Sequence, residues 1–228
     1  MKDIFRSVWI WSCEHILYYP IIINHSLIHN HYNVGGERIP YLVIPQKFYG
    51  NVGERTIEVA FAKSFLARYV GKKVLEVGNV MSGYTKIDLT NHLVLDKYEK
   101  GANIINKDII DLKDVKKYDA ILSVSTMEHV GYDETPRTKG KAIEALRKMM
   151  RALKPHGEML VTVPIGHNPE IDQMLRSNSL KFNEVHFLKR ISALNSWAET
   201  SGEDALSKAY GGKYPAANAV AFLIYRAP

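Results

Sequence analysis

The sequence predicts an α/β fold in which helices cover both faces of a doubly wound, mostly parallel sheet. Short apolar runs that are typical of buried strands alternate with longer helical patterns from about residue 54 onward. Acidic or small hydroxyl residues follow several of these runs, and a glycine turn ends the first of them. Because the carboxyl ends of parallel strands share one edge of a sheet, these features predict a ligand site at that edge.

The first apolar run, Val74–Val77, leads directly into the glycine turn. Gly78 follows the run, and Glu76 stands two residues before this glycine. Glycine adopts positive φ and lets the backbone approach a ligand, so the turn predicts amide donors aimed at a nucleotide-type ligand. Val80 and Ser82 stand where a dinucleotide fingerprint would carry more glycines, so pyrophosphate binding is not predicted. The acid at Glu76 favours a ligand with a cationic amino group instead.

Two further acids follow later apolar runs. Asp96 comes directly after residues 93–95, about twenty residues beyond the turn, the offset at which a carboxylate can bind ribose hydroxyls. Asp108 ends a third short strand that begins near residue 103. The turn and Asp96 together predict an adenosine-like ligand. A strand, turn and helix without any ligand is the alternative that these residues leave open.

The remaining elements continue the alternation. The predicted strands are 118–126, 158–164, 185–188 and 219–225, and the predicted helices are 51–69 and 141–153. The helix at 141–153 places apolar residues at helical spacing opposite charged ones, and proline and glycine end it. The helix at 51–69 begins with Glu54, Arg55 and Glu58, which face either a cofactor or solvent.

The segment after the strand at 118–126 contains the residues best suited to chemistry. His129 has an ordinary pKa of about 6.5, which suits a base that takes the proton of a hydroxyl acceptor. Glu128 or Asp133 could orient this histidine or the substrate. His167 is a second candidate for the base. For both histidines a purely structural or exposed position is the open alternative.

Composition limits the classes of function. The 228 residues fit one domain, or one domain with an extension. Cys13 is the only cysteine, which excludes an internal disulfide framework and favours a cytoplasmic location. Charged residues and a proline interrupt the apolar stretch at residues 8–23, so neither a signal peptide nor a membrane span is predicted.

Residues 1–50 are predicted to form an N-terminal extension, and residues 51–228 the main domain. The extension is rich in aromatic residues, namely Trp9, Trp11, Tyr18, Tyr19 and Tyr32. These side chains either form a cap over the site, or belong to ordinary packing or to a homodimer surface.

Metal and nucleic acid are less favoured ligands. His25, His29 and His31 have spacings that metal ligands can adopt, but neither an acid nor a cysteine completes the set, so no metal site is predicted. The net charge of +6 is compatible with RNA, but lysine and arginine residues are dispersed along the chain. RNA is therefore the second choice of partner, after a small-molecule or glycan acceptor.

These motifs resemble those of the Rossmann-like, class I S-adenosylmethionine-dependent methyltransferases. The likeness lies in the acid and glycine at Glu76 and Gly78, in residues 128–131, and in Leu-Lys-Pro-x-Gly before the strand at 158–164. It covers residues 54–165 well and the tail loosely. It implies a seven-stranded sheet, S-adenosylmethionine as donor and S-adenosylhomocysteine as product. The cofactor contacts that it implies are Glu76, Gly78, Asn79, Gly83, Asp96, Lys97, Asp108, Ser123 and Ser125.

A finer resemblance concerns the acceptor. Similarity to small methyltransferases associated with surface-glycan assembly lies in residues 53–58, 77–80, 96–99, 128–131 and 214–220. This implies O-methylation of a sugar or a glycan-linked molecule, with His129 and Glu128 as the catalytic residues. The alternatives are an RNA methyltransferase and a catalytically silent binding subunit.

Overall fold

The computed structural model describes residues 18–43, 52–84, 91–113 and 116–228. Helices α1 to α5 are Tyr18–Ile23, Arg55–Ala67, Lys141–Ala152, Pro169–Ser177 and Gly202–Leu206. Strands β1 to β10 are His31–Val34, Glu37–Pro40, Val74–Val77, His92–Asp96, Ile104–Asn106, Tyr118–Val124, Leu153–Pro164, Glu184–Arg190, Trp197–Thr200 and Ala219–Arg226. Trp9, Trp11 and Cys13 lie outside the described residues. No helix within these ranges is long and apolar enough to span a bilayer.

An eight-stranded sheet organises the chain, in the order β5-β4-β3-β6-β7-β10-β8-β9. Strands β3 to β7 pair in parallel, whereas β10, β8 and β9 join in antiparallel fashion. The predicted α/β fold is confirmed, and each of the seven predicted strands is present. The eighth strand, β9, was not predicted, because its four residues are stabilised by pairing with β8 at the sheet edge.

Helices on both faces bury the sheet. Ile121 and Leu122 are neighbours on β6 that point to opposite faces, and both are fully buried. The Ile121 face packs against α3 through Leu146, whereas the Leu122 face packs against α2 through Ile57. This explains why the parallel strands are apolar throughout rather than alternating.

The strand order reverses between β3 and β6. From β3 the chain adds β4 and β5 on one side, and then returns to place β6 and β7 on the other. In open α/β sheets a crevice forms at the carboxyl ends of the two strands that flank such a reversal. The sheet order therefore places the predicted site at the ends of β3 and β6.

The described part of the predicted N-terminal extension, residues 18–43, contacts α2 and β9 through buried aromatic side chains. The Tyr32 hydroxyl donates to the Ile57 main-chain oxygen at 2.6 Å, and the Trp197 amide donates to the Tyr41 hydroxyl at 2.7 Å. The hydrophobic core that includes Phe222 thus also contains Tyr32, Val34, Ile39 and Tyr41. The domain boundary at residue 50 stays a prediction, since residues 44–51 lie outside the described ranges.

His25 is a buried histidine through which folding is expected to depend on pH. Its ring stacks on Tyr41 with centroids 4.0 Å apart, and its Nε2 lies 3.0 Å from the Asn195 main-chain oxygen. Burial lowers the pKa of His25 to about 4. The unfolded chain takes up this proton near the ordinary pKa of about 6.5. The contribution of neutral His25 to stability is therefore fully present above about pH 6.5, and it decreases as the pH is lowered toward the folded-state pKa.

We expect wild-type protein to lose about 3 kcal/mol more unfolding free energy than His25→Gln between pH 7 and pH 4. Glutamine can still donate to the Asn195 oxygen but does not titrate. Urea unfolding at a series of pH values measures both profiles. The control is His31→Gln, on the same segment, whose ring contacts Asn30 instead. Equally steep profiles for wild type and His25→Gln would contradict the expectation.

Candidate functional site

A cavity of about 480 Å³ lies at the carboxyl ends of β3, β4 and β6. The predicted site residues that line it are Gly78, Asn79, Asp96, Lys97, Asp108, Ser125 and His129. Glu76, Gly83, Ser123 and Glu128 are not among its lining residues, and none of residues 18–43 is. The structure thus brings most of the predicted residues to one crevice, at the position that the strand order dictates.

Glu76 is used to hold the glycine turn. Its side chain is buried, and its Oε1 accepts hydrogen bonds from the amides of Val80 at 2.8 Å and Met81 at 2.7 Å. Its Oε2 lies 2.8 Å from His92 Nε2. Both oxygens are therefore engaged within the protein, and this carboxylate does not face the cavity as the cationic-ligand interpretation expected.

Gly78 places the backbone of the turn against the loop after β6. Its φ is 84°, and its amide donates to the Leu95 main-chain oxygen at 2.9 Å. A Cβ at this position would lie 2.2 Å from Thr126 Oγ1. The turn thus needs glycine both for its conformation and for this close approach.

Asp96 stands at the end of β4 with one oxygen committed to its own loop. Its Oδ1 accepts hydrogen bonds from the amides of Tyr98 and Glu99, both at 2.8 Å. Among the described residues, its Oδ2 has one long contact, of 3.4 Å with the Asn79 amide. The first pair of bonds fixes the side chain, so Oδ2 is held at the cavity wall.

An ionic cluster closes the cavity near β5. Lys141 Nζ lies 2.6 Å from both Asp108 Oδ2 and Glu134 Oε2, and Lys97 Nζ lies 3.1 Å from the same two atoms. Burial raises the pKa of Asp108, but hydrogen bonds from Lys141, the Ile110 amide and Lys97 outweigh it, and the pKa is lowered overall. Asp108, one of the cofactor contacts that the resemblance implies, is therefore an ionised member of a neutral cluster.

Buried acids lie behind Ser125, at the other end of the cavity. The Ser125 hydroxyl donates to Glu58 Oε1 at 2.6 Å, and Arg55 lies 3.1 Å from Glu58 Oε2. Burial raises the pKa of Glu58, although Arg55 opposes this shift. Burial also raises the pKa of Glu128 well above its usual value. The first turn of α2 thus points inward, which the sequence left undecided.

His129 and His167 meet at one carboxylate. Asp133 Oδ2 lies 2.5 Å from His129 Nδ1 and 3.1 Å from His167 Nε2. The rings are edge to face, with centroids 4.7 Å apart. Burial raises the pKa of Asp133, but hydrogen bonds from the two histidines outweigh it and lower the pKa. The sequence predicted two separate base candidates, whereas the structure makes them one group.

Two loops hold this group in place. The Asp133 amide donates to the His129 oxygen at 3.0 Å, which closes the turn after β6. Asn168 Nδ2 donates to the Glu128 main-chain oxygen at 3.0 Å and so joins the loops after β6 and β7. The four-residue spacing of His129 and Asp133 was a signal for their contact. No local signal indicated His167, because its approach depends on β6 and β7 being neighbours.

The three histidines whose spacing was considered for a metal site do not converge on one another. His25 contacts Asn195, His29 contacts Asn24, and His31 contacts Asn30. Sequence reasoning did not identify Glu134 or Lys141 as site residues. Their contacts with Asp108 and Lys97 join segments distant along the chain, so they follow from the fold rather than from a motif.

Comparison with known proteins gives remote structural matches. No family model and no curated protein matches the chain. A methyltransferase from Archaeoglobus fulgidus that depends on S-adenosylmethionine is 16% identical with a TM-score of 0.45, over 74% of this chain and 94% of that one. The 1,6-didemethyltoxoflavin-N1-methyltransferase of Burkholderia thailandensis, with bound 1,6-didemethyltoxoflavin and S-adenosylhomocysteine, is 12% identical with a TM-score of 0.47, over 86% and 98%.

A third match is the N-methyltransferase NodS from Bradyrhizobium japonicum, in complex with S-adenosyl-L-homocysteine. It is 12% identical with a TM-score of 0.41, over 75% of this chain and 88% of that one. Likeness at this distance does not assign a function, which must be argued from the residues of this chain.

Proposed function

We propose that this protein transfers a methyl group from S-adenosylmethionine to a hydroxyl group of a sugar or a glycan-linked small molecule. The observation that carries the proposal is the cavity at the strand reversal, where the Gly78 turn, Asp96 and the group of His129 and Asp133 line one space. A nucleoside bound in this cavity would lie beside titratable groups that can act on an acceptor.

The nucleoside half of the donor fits the β3 and β4 side of the cavity. Asp96 Oδ2 has capacity to accept hydrogen bonds from ribose hydroxyls, because its other oxygen alone holds the loop. The Gly78 turn presents backbone rather than side chains to the ligand. Asp108, fixed by two lysines, would accept from the adenine amino group in addition to its ion pairs.

The methionine half fits beside Ser125, where buried acids lie behind the wall. Glu58 and Glu128 are both buried, and the positive charge of Arg55 opposes the rise that burial causes in the pKa of each acid. A sulfonium or ammonium group placed here would favour the ionised form of Glu128 and gain a favourable interaction.

The acceptor would enter past His129 and Asp133, which are about half exposed. Methyl transfer is an in-line displacement. The acceptor hydroxyl loses its proton, its oxygen forms a bond to the methyl carbon, and the carbon–sulfur bond breaks with its electrons left on sulfur. His129 is the base that takes this proton, and buried Glu128, whose Oε1 lies 3.5 Å from His129 Nε2, positions the ring.

Aromatic rings near His167 support a sugar as the acceptor. The Tyr210 ring centroid lies 5.0 Å from that of His167, and the Tyr132 centroid lies 6.0 Å from it. Aromatic faces pack well against the apolar face of a sugar, and the tyrosine hydroxyl can bind water or substrate.

Calorimetric titration with S-adenosylmethionine and S-adenosylhomocysteine tests the donor. We expect one-to-one binding of both, and we expect Asp96→Asn to weaken each about tenfold, since a charged hydrogen-bond acceptor becomes neutral. Asp111→Asn makes the same change at an exposed position outside the cavity lining and is the control. Saturation at a hundred times the dissociation constant should also add about 2.7 kcal/mol to stability.

Two outcomes would contradict the proposal. Failure of folded protein to bind either compound would favour the silent binding subunit. Equal affinities of Asp96→Asn and wild type would remove Asp96 from the nucleoside site. If the donor binds, transfer of labelled methyl groups to sugar and RNA acceptors then separates the proposed substrate class from its alternative.

A further inference from the structure

Three potential metal-ligand atoms converge at the mouth of the cavity. His129, Asp133 and His167 each offer one ligand atom, and these three atoms all lie within 4.8 Å of one another. His129 and Asp133 line the cavity, whereas His167 reaches them from the loop after β7. We infer that these side chains bind a divalent transition-metal ion such as Zn²⁺, Mn²⁺ or Co²⁺, which in turn holds the oxygen of the methyl acceptor.

The donor set selects the class of ion. Two imidazole nitrogens and one carboxylate oxygen suit borderline first-row cations, whereas Mg²⁺ and Ca²⁺ prefer oxygen ligands throughout. Metal–ligand bonds of about 2.1 Å place neighbouring ligand atoms about 3 to 3.5 Å apart. The His129 to Asp133 contact is 2.5 Å and the His167 to Asp133 contact is 3.1 Å. A small outward shift of the half-exposed Asp133 would therefore admit the ion.

Glu128 is a second and independent observation that points to a metal. Its side chain is buried, its Oε1 lies 3.5 Å from His129 Nε2, and its Oε2 has no hydrogen-bond partner among the described residues. A metal-bound histidine commonly directs its other ring nitrogen to a carboxylate, which fixes the tautomer. With Nε2–H directed at Glu128, the lone pair of His129 Nδ1 is available to the ion.

The loop of His167 is braced in a similar way. The Gly166 amide donates to both Asp172 carboxylate oxygens, at 3.2 and 3.1 Å. Asn168 ties the same loop to the Glu128 main chain. The ligand from β7 is therefore held against the ligands from β6 by bonds that span the two loops, as a preformed site requires.

The position of the ion would determine how the acceptor is activated. Three protein ligands leave positions open for acceptor oxygens. A hydroxyl bound there would have a lowered pKa and would lose its proton to water. Its oxygen would then form a bond to the methyl carbon as the carbon–sulfur bond breaks with its electrons left on sulfur. His129 is in this case a ligand rather than the base. Two neighbouring oxygens would chelate best, which favours a vicinal diol of a sugar; this part rests on the proposed function.

Titration of the chelator-treated full chain with Co²⁺ tests the site, followed by visible absorption and calorimetry. We expect one strong site per chain, displaced by Zn²⁺. His167→Ala and Asp133→Asn should each weaken it about 100-fold, since losing a ligand costs at least as much as losing a second-shell partner. The control is His186→Ala, which removes another histidine placed beside two carboxylates, those of Glu184 and Glu199, and should leave the strong site intact.

The results separate this inference from the proposed function. The metal site is refuted if no one-to-one Co²⁺ site is found, or if the site keeps its affinity in both folded variants, His167→Ala and Asp133→Asn. His129 then returns to the role of base. Because Co²⁺ is titrated without donor, a strong site in a chain that binds neither S-adenosyl compound would support the metal and refute the donor. Thermal unfolding of each variant verifies that it is folded.

Discussion

Replacement of Glu76 by alanine is expected to lower the free energy of unfolding by about 5 kcal/mol, the largest effect that we predict for a single side chain. The change leaves the amides of Val80 and Met81 and the ring of His92 without their acceptor. Each stranded buried donor costs about 1 to 3 kcal/mol. A typical domain is stable by only about 5 to 15 kcal/mol, so much of this variant should be unfolded at moderate urea concentrations.

Glu76→Gln is the matched control. Its amide oxygen can still accept from the Val80 and Met81 amides, and only the contact with His92 changes character. We expect a loss of about 1 to 2 kcal/mol, measured by urea unfolding of wild type and both variants under the same conditions. Equal losses for the alanine and glutamine variants would mean that the turn amides do not depend on this carboxylate.

The sequence around Glu76 predicted a ligand contact, whereas in the structure this carboxylate binds the turn amides and His92. An acid two residues before a turn glycine can face a ligand or fold back onto the turn amides, and the local pattern is the same in both cases. His92 decides between them, because β4 pairs with β3 and brings its ring to Glu76 Oε2. That contact depends on sheet register, which the motif does not contain.

The other helices and strands also differ in whether a local sequence pattern or a tertiary contact determines them. The buried parallel strands and the helices α2 and α3 were predictable, because apolar runs and amphipathic spacing are local properties. The short strand β9 carried no clear pattern, because it is stabilised by pairing with β8. Its formation follows from tertiary packing rather than from propensity.

Within the site, single residues were more predictable than their partners. Asp96 and His129 were recognised from the chemistry of strand ends, and the structure places both at the cavity. The link between Asp108 and Lys141, or between His129 and His167, joins segments whose proximity follows from the strand order. Such pairs decide whether a carboxylate is available to a ligand, so they limit what a motif alone can assign.

Gly78→Ala is expected to cost about 4 kcal/mol of unfolding free energy, the sum of a backbone and a contact penalty. The residue has a φ of 84°, which alanine adopts only with strain. Its new Cβ would also lie 2.2 Å from Thr126 Oγ1 and 2.9 Å from Thr126 Cβ. The turn must move away from the loop after β6, and we expect affinity for S-adenosylhomocysteine to fall about 100-fold with it.

Two further variants separate these penalties. Gly36 has a φ of 81° and open space around its Cβ position, so Gly36→Ala should cost only the backbone term, about 1 kcal/mol. Adding Thr126→Ala to Gly78→Ala removes the two closest atoms and should recover about half of the contact penalty. Urea unfolding and calorimetry measure both effects. If Gly78→Ala costs no more than Gly36→Ala, the close approach to Thr126 does not constrain the turn, and its amides are free to shift without loss of the ligand.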